Sequence, residues 1–167
     1  MGFPCCRLMS QIGAGRPMNI FSRILAVEDV MLGVDVKDKR SLFEQAAERL
    51  SKQHGLAAGM ILTRLLEREK LGSTGIGQGV AIPHARVDGL KEPLAMYMRP
   101  VAPIGFEAPD RQPVRDVVVL LAPEHANRDH LRILAETAQL FSDRKFREKL
   151  DAADSPEHVR QLFTAEV

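Results

Sequence analysis

The chemistry in this sequence gathers around one histidine. His84 closes the stretch Arg68-Glu69-Lys70-Leu71-Gly72-Ser73-Thr74-Gly75-Ile76-Gly77-Gln78-Gly79-Val80-Ala81-Ile82-Pro83-His84-Ala85. Gly72, Gly75, Gly77 and Gly79 are crowded together with Ser73 and Thr74 between them, a composition that no packed helix uses. Pro83 fixes its own backbone angle and restricts Ile82, so it presents His84 from a rigid base. Glycines let backbone N–H groups approach a ligand closely and point inward, as anion-binding loops do. Arg68, just ahead of the loop, offers a planar fork of donors for a phosphate or carboxylate. Two chemistries fit a histidine beside such an anion cradle: the imidazole attacks phosphorus and holds a phosphoryl group, or it serves as acid or base on an anionic substrate. A structural histidine after a glycine-rich turn is the plain alternative.

His130 is the second candidate. It falls near the start of an expected helix, where free N–H groups disfavour an imidazolium, so it suits a neutral donor to phosphate or a partner that orients His84. A capping or surface histidine is the competing reading. His125 lies five residues earlier and shares no helical face with His130, which disfavours a two-histidine metal site. His54 and His158 read as surface helix residues, and Glu107 and Asp110 as solvated loop. The glycine loop lacks the Gly-Lys-Ser/Thr ending of a nucleotide P-loop. Its alternate spacing does not satisfy the dinucleotide fingerprint or the kinase loop.

The elements that must position these residues follow from periodicity. A short helical turn is expected over 20–26 with Asn19 as cap, then a strand over 31–36. A helix over 39–54 carries Leu42, Phe43, Ala46, Ala47 and Leu50 on one face, capped by Asp38 and ended by Gly55. A second helix over about 58–70 carries Ile61, Leu62, Leu65 and Leu66. Strands are expected over 80–82, stopping at Pro83, and over 94–98 and 117–121. The last is continuously apolar and belongs in the middle of a covered sheet. A Pro-rich connection over 101–113 holds a short edge strand near Ile104. Helices follow: one with a stripe of Leu131, Leu134, Ala135, Ala138 and Phe141, one over 144–150, and one opened by Ser155-Pro156 and running to about 165. Helices on both faces of one sheet give an α/β fold, a three-layer α/β/α sandwich.

Composition sets the outer bounds. The 167 residues amount to one domain, 45 % hydrophobic and 27 % charged, with 23 basic against 22 acidic residues. That balance lacks the basic excess of a nucleic-acid binder, and no apolar run is long enough for a bilayer. The two cysteines, Cys5 and Cys6, are adjacent, which excludes a disulfide scaffold or a zinc module and suits a reduced cytoplasmic compartment. Residues 1–17 read as a disordered or non-native tail, and 18–167 as the folded domain.

Glu69 to Ala85, ending in Val80-Ala81-Ile82-Pro83-His84-Ala85, resembles the phosphorylation-site signature of fructose/mannitol-type enzyme IIA domains of the bacterial phosphotransferase system. Leu66 to Gly77 is worded like the nitrogen-regulatory branch, enzyme IIA-Ntr, and the likeness runs from about Met18 to the C-terminus. It implies a mixed sheet between helical layers. It also implies that His84 is phosphorylated through Nε2 by the phosphohistidine of a small HPr-like carrier (NPr type), with Arg68 beside it and His130 helping to bind the phosphate. Ser73, Thr74 and Gly75 become candidate phosphate donors from the loop. Ala85-Arg86 stands where many members have Gly-Lys or Gly-Arg. No metal or other cofactor is expected, because donor and acceptor are both histidines.

The branch suggests regulated targets such as potassium transporters, sensor kinases or metabolic enzymes. With no enzyme IIB or IIC segment and no membrane span in the sequence, a regulatory role is favoured over direct sugar transport. The alternatives are a soluble IIA component of a fructose or mannitol transporter, a binding module without chemistry, and a hydrolase using His84 as base.

Overall fold

The computed structural model describes residues 19–125 and 128–165. The tail expected over 1–17 lies outside the described residues. In chain order the elements are α1 (Ile20–Ile24), β1 (Leu25–Val34), α2 (Lys39–His54), α3 (Ala58–Lys70), β2 (Gly75–Gly77), β3 (Val80–Ala81), β4 (His84–Val87), β5 (Leu94–Pro100), β6 (Asp116–Pro123), α4 (Arg128–Ser142), α5 (Arg144–Ala152) and α6 (Pro156–Thr164).

The six strands form one mixed sheet in the order β1-β5-β6-β3-β2, with β4 also on β6. β1 runs parallel to β5, β5 antiparallel to β6, and β3 and β4 both parallel to β6. Successive side chains of a strand point to opposite faces, and β6 shows it. Val117, Val119 and Leu121 join the core under α2 and α3, whereas Val118 and Leu120 join the core under α1, α4, α5 and α6. Those two cores on either side of one sheet are the three layers expected from the sequence.

Helix ends follow local chemistry. Asp38 accepts from the Ser41 N–H at 2.8 Å to open α2, and Gly55 closes it in the left-handed region at φ 70°. Ser155 accepts from the His158 N–H to open α6, with Pro156 at the first helical position.

Several expectations are corrected. The first strand starts at Leu25, not Met31, because Leu25 already pairs with Ala95 and its carbonyl accepts from Arg160 Nε at 2.8 Å. Two register shifts along β1 blur its alternation and hide the strand from a period-two reading. The edge strand near Ile104 reduces to a single antiparallel bridge with Val114; Pro103 and Pro113 beside the two bridged residues remove ladder donors. Of the expected stripe on α4, Phe141 is buried and Leu134 and Ala138 pack against the same core, joined by the buried His130, Ile133 and Thr137, whereas Leu131 is 67 % exposed. β2 and β4 have no counterpart among the expected strands, being only three and four residues long. His54 is no free surface residue: its Nε2 lies 2.8 Å from Oδ2 of the buried Asp29. Among the described residues no helix is long and apolar enough to cross a membrane.

Candidate functional site

The strand expected to stop at Pro83 instead breaks and resumes. β3 runs along β6 at Asp116–Val117, and β4 takes up the same side of β6 from Leu120 onward. Between them, Leu120 N–H donates to the Pro83 carbonyl at 2.9 Å. Pro83 has no N–H for the ladder, so the break falls there. His84 is the first residue after it and pairs with Leu120. Paired residues project to the same face, so His84 points toward the α4 layer, and Ala85 and Val87 toward the other core.

The imidazole is held at both nitrogens. Nδ1 lies 2.8 Å from the Ile82 carbonyl, an acceptor only, so Nδ1 carries the hydrogen and donates it. Nε2 therefore has the lone pair, and it accepts from Arg68 Nε at 3.1 Å. Arg68 sits in the last turn of α3 and is anchored through Nη1 to the Gly72 carbonyl at 2.9 Å. His130 lies beside His84, ring centroids 5.8 Å apart and planes tilted by 53°. Burial pushes the His84 pKa below its ordinary value, as does the Arg68 cation, while the bond to Ile82 and the Glu69 carboxylate act upward. Burial likewise lowers His130, helped by the charges of His84 and Arg86. Both rings are thus biased toward the neutral form.

The structure brings Arg68, His84 and His130 together across 62 residues of chain. It places the loop residues differently. The Ser73 hydroxyl donates to the Phe106 carbonyl and accepts from Gly75 N–H at 3.1 Å. The Thr74 N–H and hydroxyl both donate to the Glu69 carboxylate, at 3.2 and 2.6 Å. These donors are turned into the protein and not toward His84.

Glu69 and Lys39 join at 2.9 Å, a pairing that no local pattern in the sequence announces. The available signal was an acid in the last turn of a helix, where cations are preferred. Asp110, read as solvated loop, accepts from Gln78 N–H at 2.9 Å and Gln112 N–H at 3.1 Å, bonds that hold its carboxyl below the usual range. It staples the 105–113 segment to the end of β2. Ala108 packs so closely there that a Cβ on Gly75 would sit 2.9 Å from its Cβ. Among the described residues no cluster of three or more His, Cys, Asp or Glu side chains could hold a metal ion.

Residues 23–166 match the family model described as phosphoenolpyruvate-dependent sugar phosphotransferase system, EIIA 2. A nitrogen regulatory protein of Bradyrhizobium diazoefficiens is 38 % identical over 140 residues, covering 84 % of this chain and 92 % of that protein. The crystal structure of nitrogen regulatory protein IIA-Ntr from Neisseria meningitidis superposes with a TM-score of 0.82 at 41 % identity, over 87 % of this chain and 99 % of that one. The Escherichia coli mannitol enzyme IIA, solved in complex with phosphorylated mannitol enzyme IIB, gives a TM-score of 0.70 at 22 % identity over 83 % of this chain and 96 % of that one, a likeness of fold.

Proposed function

Because the chain belongs to the EIIA 2 family of the phosphoenolpyruvate-dependent sugar phosphotransferase system, we propose that it takes a phosphoryl group on His84 Nε2 from the phosphohistidine of an HPr-like carrier of the NPr type. In this reading the phosphorylation state then governs what the protein binds. The observation that carries it is the tautomer of His84: Nδ1–H is spent on the Ile82 carbonyl, which leaves the Nε2 lone pair for phosphorus.

The transfer is an in-line displacement. The donor's N–P bond breaks as the Nε2–P bond forms, and the electron pair stays on the donor nitrogen. A neutral nucleophile is required, and burial of His84 favours it. Arg68 Nε–H occupies the lone pair in the resting site, so it must yield before attack. From its anchor on Gly72 O, the same guanidinium can then turn its fork to the equatorial phosphoryl oxygens, where charge accumulates. His130 stands close enough to donate to an oxygen of the bound group. Catalysis is positioning and electrostatics throughout.

Partner docking has support around the site. Leu71 is 85 % exposed, Ile76 44 % and Leu131 67 %; the first follows Arg68 by three residues and the last adjoins His130. Apolar side chains next to a site that gains a charge of roughly −1.5 to −2 on phosphorylation make a surface whose preferred partner changes with that charge. The nitrogen-regulatory likeness at high coverage supports a regulatory output; a cytoplasmic place of action and targets such as potassium transporters or sensor kinases are part of the same proposal.

The test is incubation with phosphoenolpyruvate, the first phosphotransferase enzyme and the carrier, followed by intact-mass spectrometry. Wild type gains one acid-labile, base-stable phosphoryl group, and a folded His84→Ala variant gains none. Label on His84→Ala refutes the assignment.

A further inference from the structure

Glu69 stands beside Arg68, and its carboxylate is bonded to Lys39 and Thr74. The side chain is 8 % exposed, at the helix end where the dipole disfavours an anion. Its compensation is specific. Lys39 reaches it from α2 at 2.9 Å with its own side chain only 21 % exposed, and Thr74 supplies both N–H and hydroxyl. Charge-assisted bonds with little surrounding water are short and hold their geometry. Thr74 passes that geometry on. Its carbonyl accepts from Ile82 N–H at 3.0 Å, and Ile82 in turn offers its carbonyl to His84 Nδ1 at 2.8 Å. Ile82 is therefore gripped at its N–H while it grips the imidazole with its C=O. Ser73 braces the same turn from the other side through the Phe106 carbonyl, which Lys39 Nζ also approaches at 3.4 Å.

We infer that Glu69, neutralised by Lys39, is a positioning residue for His84: through Thr74 and Ile82 it sets the direction of the carbonyl that holds Nδ1–H, and with it the direction in which Nε2 meets phosphorus. The inference rests on the reading of His84 as the phosphorylated residue. It gives the Thr74 hydroxyl a structural partner in the resting protein in place of a phosphate contact. It also gives Lys39, thirty residues before Glu69 and on another helix, a part in the site.

The two roles of Thr74 separate in unphosphorylated protein, where no phosphate is present. Glu69→Gln, Thr74→Val and Thr74→Ser are made in the full chain. Two quantities are read: single-turnover transfer from the phosphorylated carrier, and NMR exchange of the His84 Nδ1–H and Ile82 N–H with water. Misdirecting a reacting group by about 1 Å costs on the order of a hundredfold, so Thr74→Val and Glu69→Gln should transfer roughly 10- to 100-fold slower, with both protons exchanging faster. Thr74→Ser, which keeps the hydroxyl, should stay within about twofold of wild type in both readouts. The Glu69→Gln/Thr74→Val double variant should be little slower than the worse single, as for residues that act as a unit.

Transfer within about twofold of wild type in Thr74→Val and Glu69→Gln would overturn the inference. So would slow transfer with unchanged proton exchange, which would make Thr74 a direct phosphate ligand. If Glu69→Gln does not fold, the Val/Ser pair at position 74 decides alone. Absence of label on wild-type His84 would remove the reading underneath, whereas the exchange rates would still report whether Glu69 directs the imidazole.

Discussion

In the proposed transfer Arg68 plays two opposed parts, and its removal weighs one against the other. In the resting site its Nε–H covers the His84 lone pair at 3.1 Å, a bond that must break before attack. Losing a hydrogen bond of that kind lowers the cost of reaching the transition state by about 0.5–1.5 kcal/mol, a gain of roughly tenfold at most. In the transition state the guanidinium faces phosphoryl oxygens, where one charge-assisted bond contributes about 1.5–3 kcal/mol and a fork makes two. The second effect wins. Arg68→Ala should therefore slow single-turnover transfer by about 10- to 10,000-fold, the equivalent of the roughly 1.5–5.5 kcal/mol left after the opposing gain is subtracted. Arg68→Lys, which keeps the charge and loses the fork, should fall between it and wild type. The assay is rapid-quench transfer from the phosphorylated carrier at pH 8. That pH is needed because Arg68 helps hold the His84 pKa down, so at lower pH its removal would also protonate the nucleophile. Transfer by Arg68→Ala as fast as wild type, or faster, would reduce Arg68 to a cap on the resting imidazole.

Three further outcomes follow from the same geometry. Because burial lowers both His84 and His130 below the ordinary 6.5, the acid limb of the transfer rate should lie below that value. Stability should fall as pH drops through the same region, since the unfolded chain then binds protons that the folded one refuses; denaturant melts at pH 7.5 and 5.5 read this, and a folded His84→Ala/His130→Ala variant should show a flatter dependence. Gly75→Ala drives a methyl to 2.9 Å from Ala108, so a loss of about 1–3 kcal/mol is expected by thermal melt, with slower transfer because the loop moves off its seat. Tyr97→Phe removes the hydroxyl that donates to the buried Asp116 and leaves a carboxylate without that partner, for a cost of about 2 kcal/mol and a melting temperature lower by about 4–8 °C, with the transfer rate unchanged.

The sequence made the helices legible because each carried its own signals. α2 keeps the bounds that Asp38 and Gly55 announce, and α3 those implied by its apolar face. The strands were legible only where hydrophobicity was continuous, as in β6. β2 is Gly-Ile-Gly and β3 and β4 are cut by Pro83, so their pairing is decided by β6 and not by their own residues. His84 was found because proline and glycine punctuate the chain beside it. Its neighbours were not legible as contacts: nothing local says that Nδ1 meets Ile82 O, or that Arg68 covers Nε2. Those facts depend on the register of His84 with Leu120 and on where α3 ends. Glu69 was passed over because its partners, Lys39 and Thr74, lie on different elements and meet only in the folded chain.

Under the proposed reading, the same placement lets a phosphoryl charge arrive at His84 without disturbing the fold. β4 pairs with β6 alone, so His84 stands at an open margin of the sheet while β6 behind it is buried on both faces. The one buried carboxylate on β6, Asp116, lies at the opposite end of that strand, paired with Val80, whereas His84 pairs with Leu120. Four residues of strand are roughly 13 Å, and a charge interaction there is about a third of its strength at about 4 Å in the same medium. A phosphoryl group at Nε2 thus acts strongly on Arg68 and His130 and weakly on the buried Tyr97–Asp116 pair. The change is confined to a rim whose apolar members, Leu71, Ile76 and Leu131, face solvent. A partner reading that rim meets a different surface in each state, although the core beneath it stays the same.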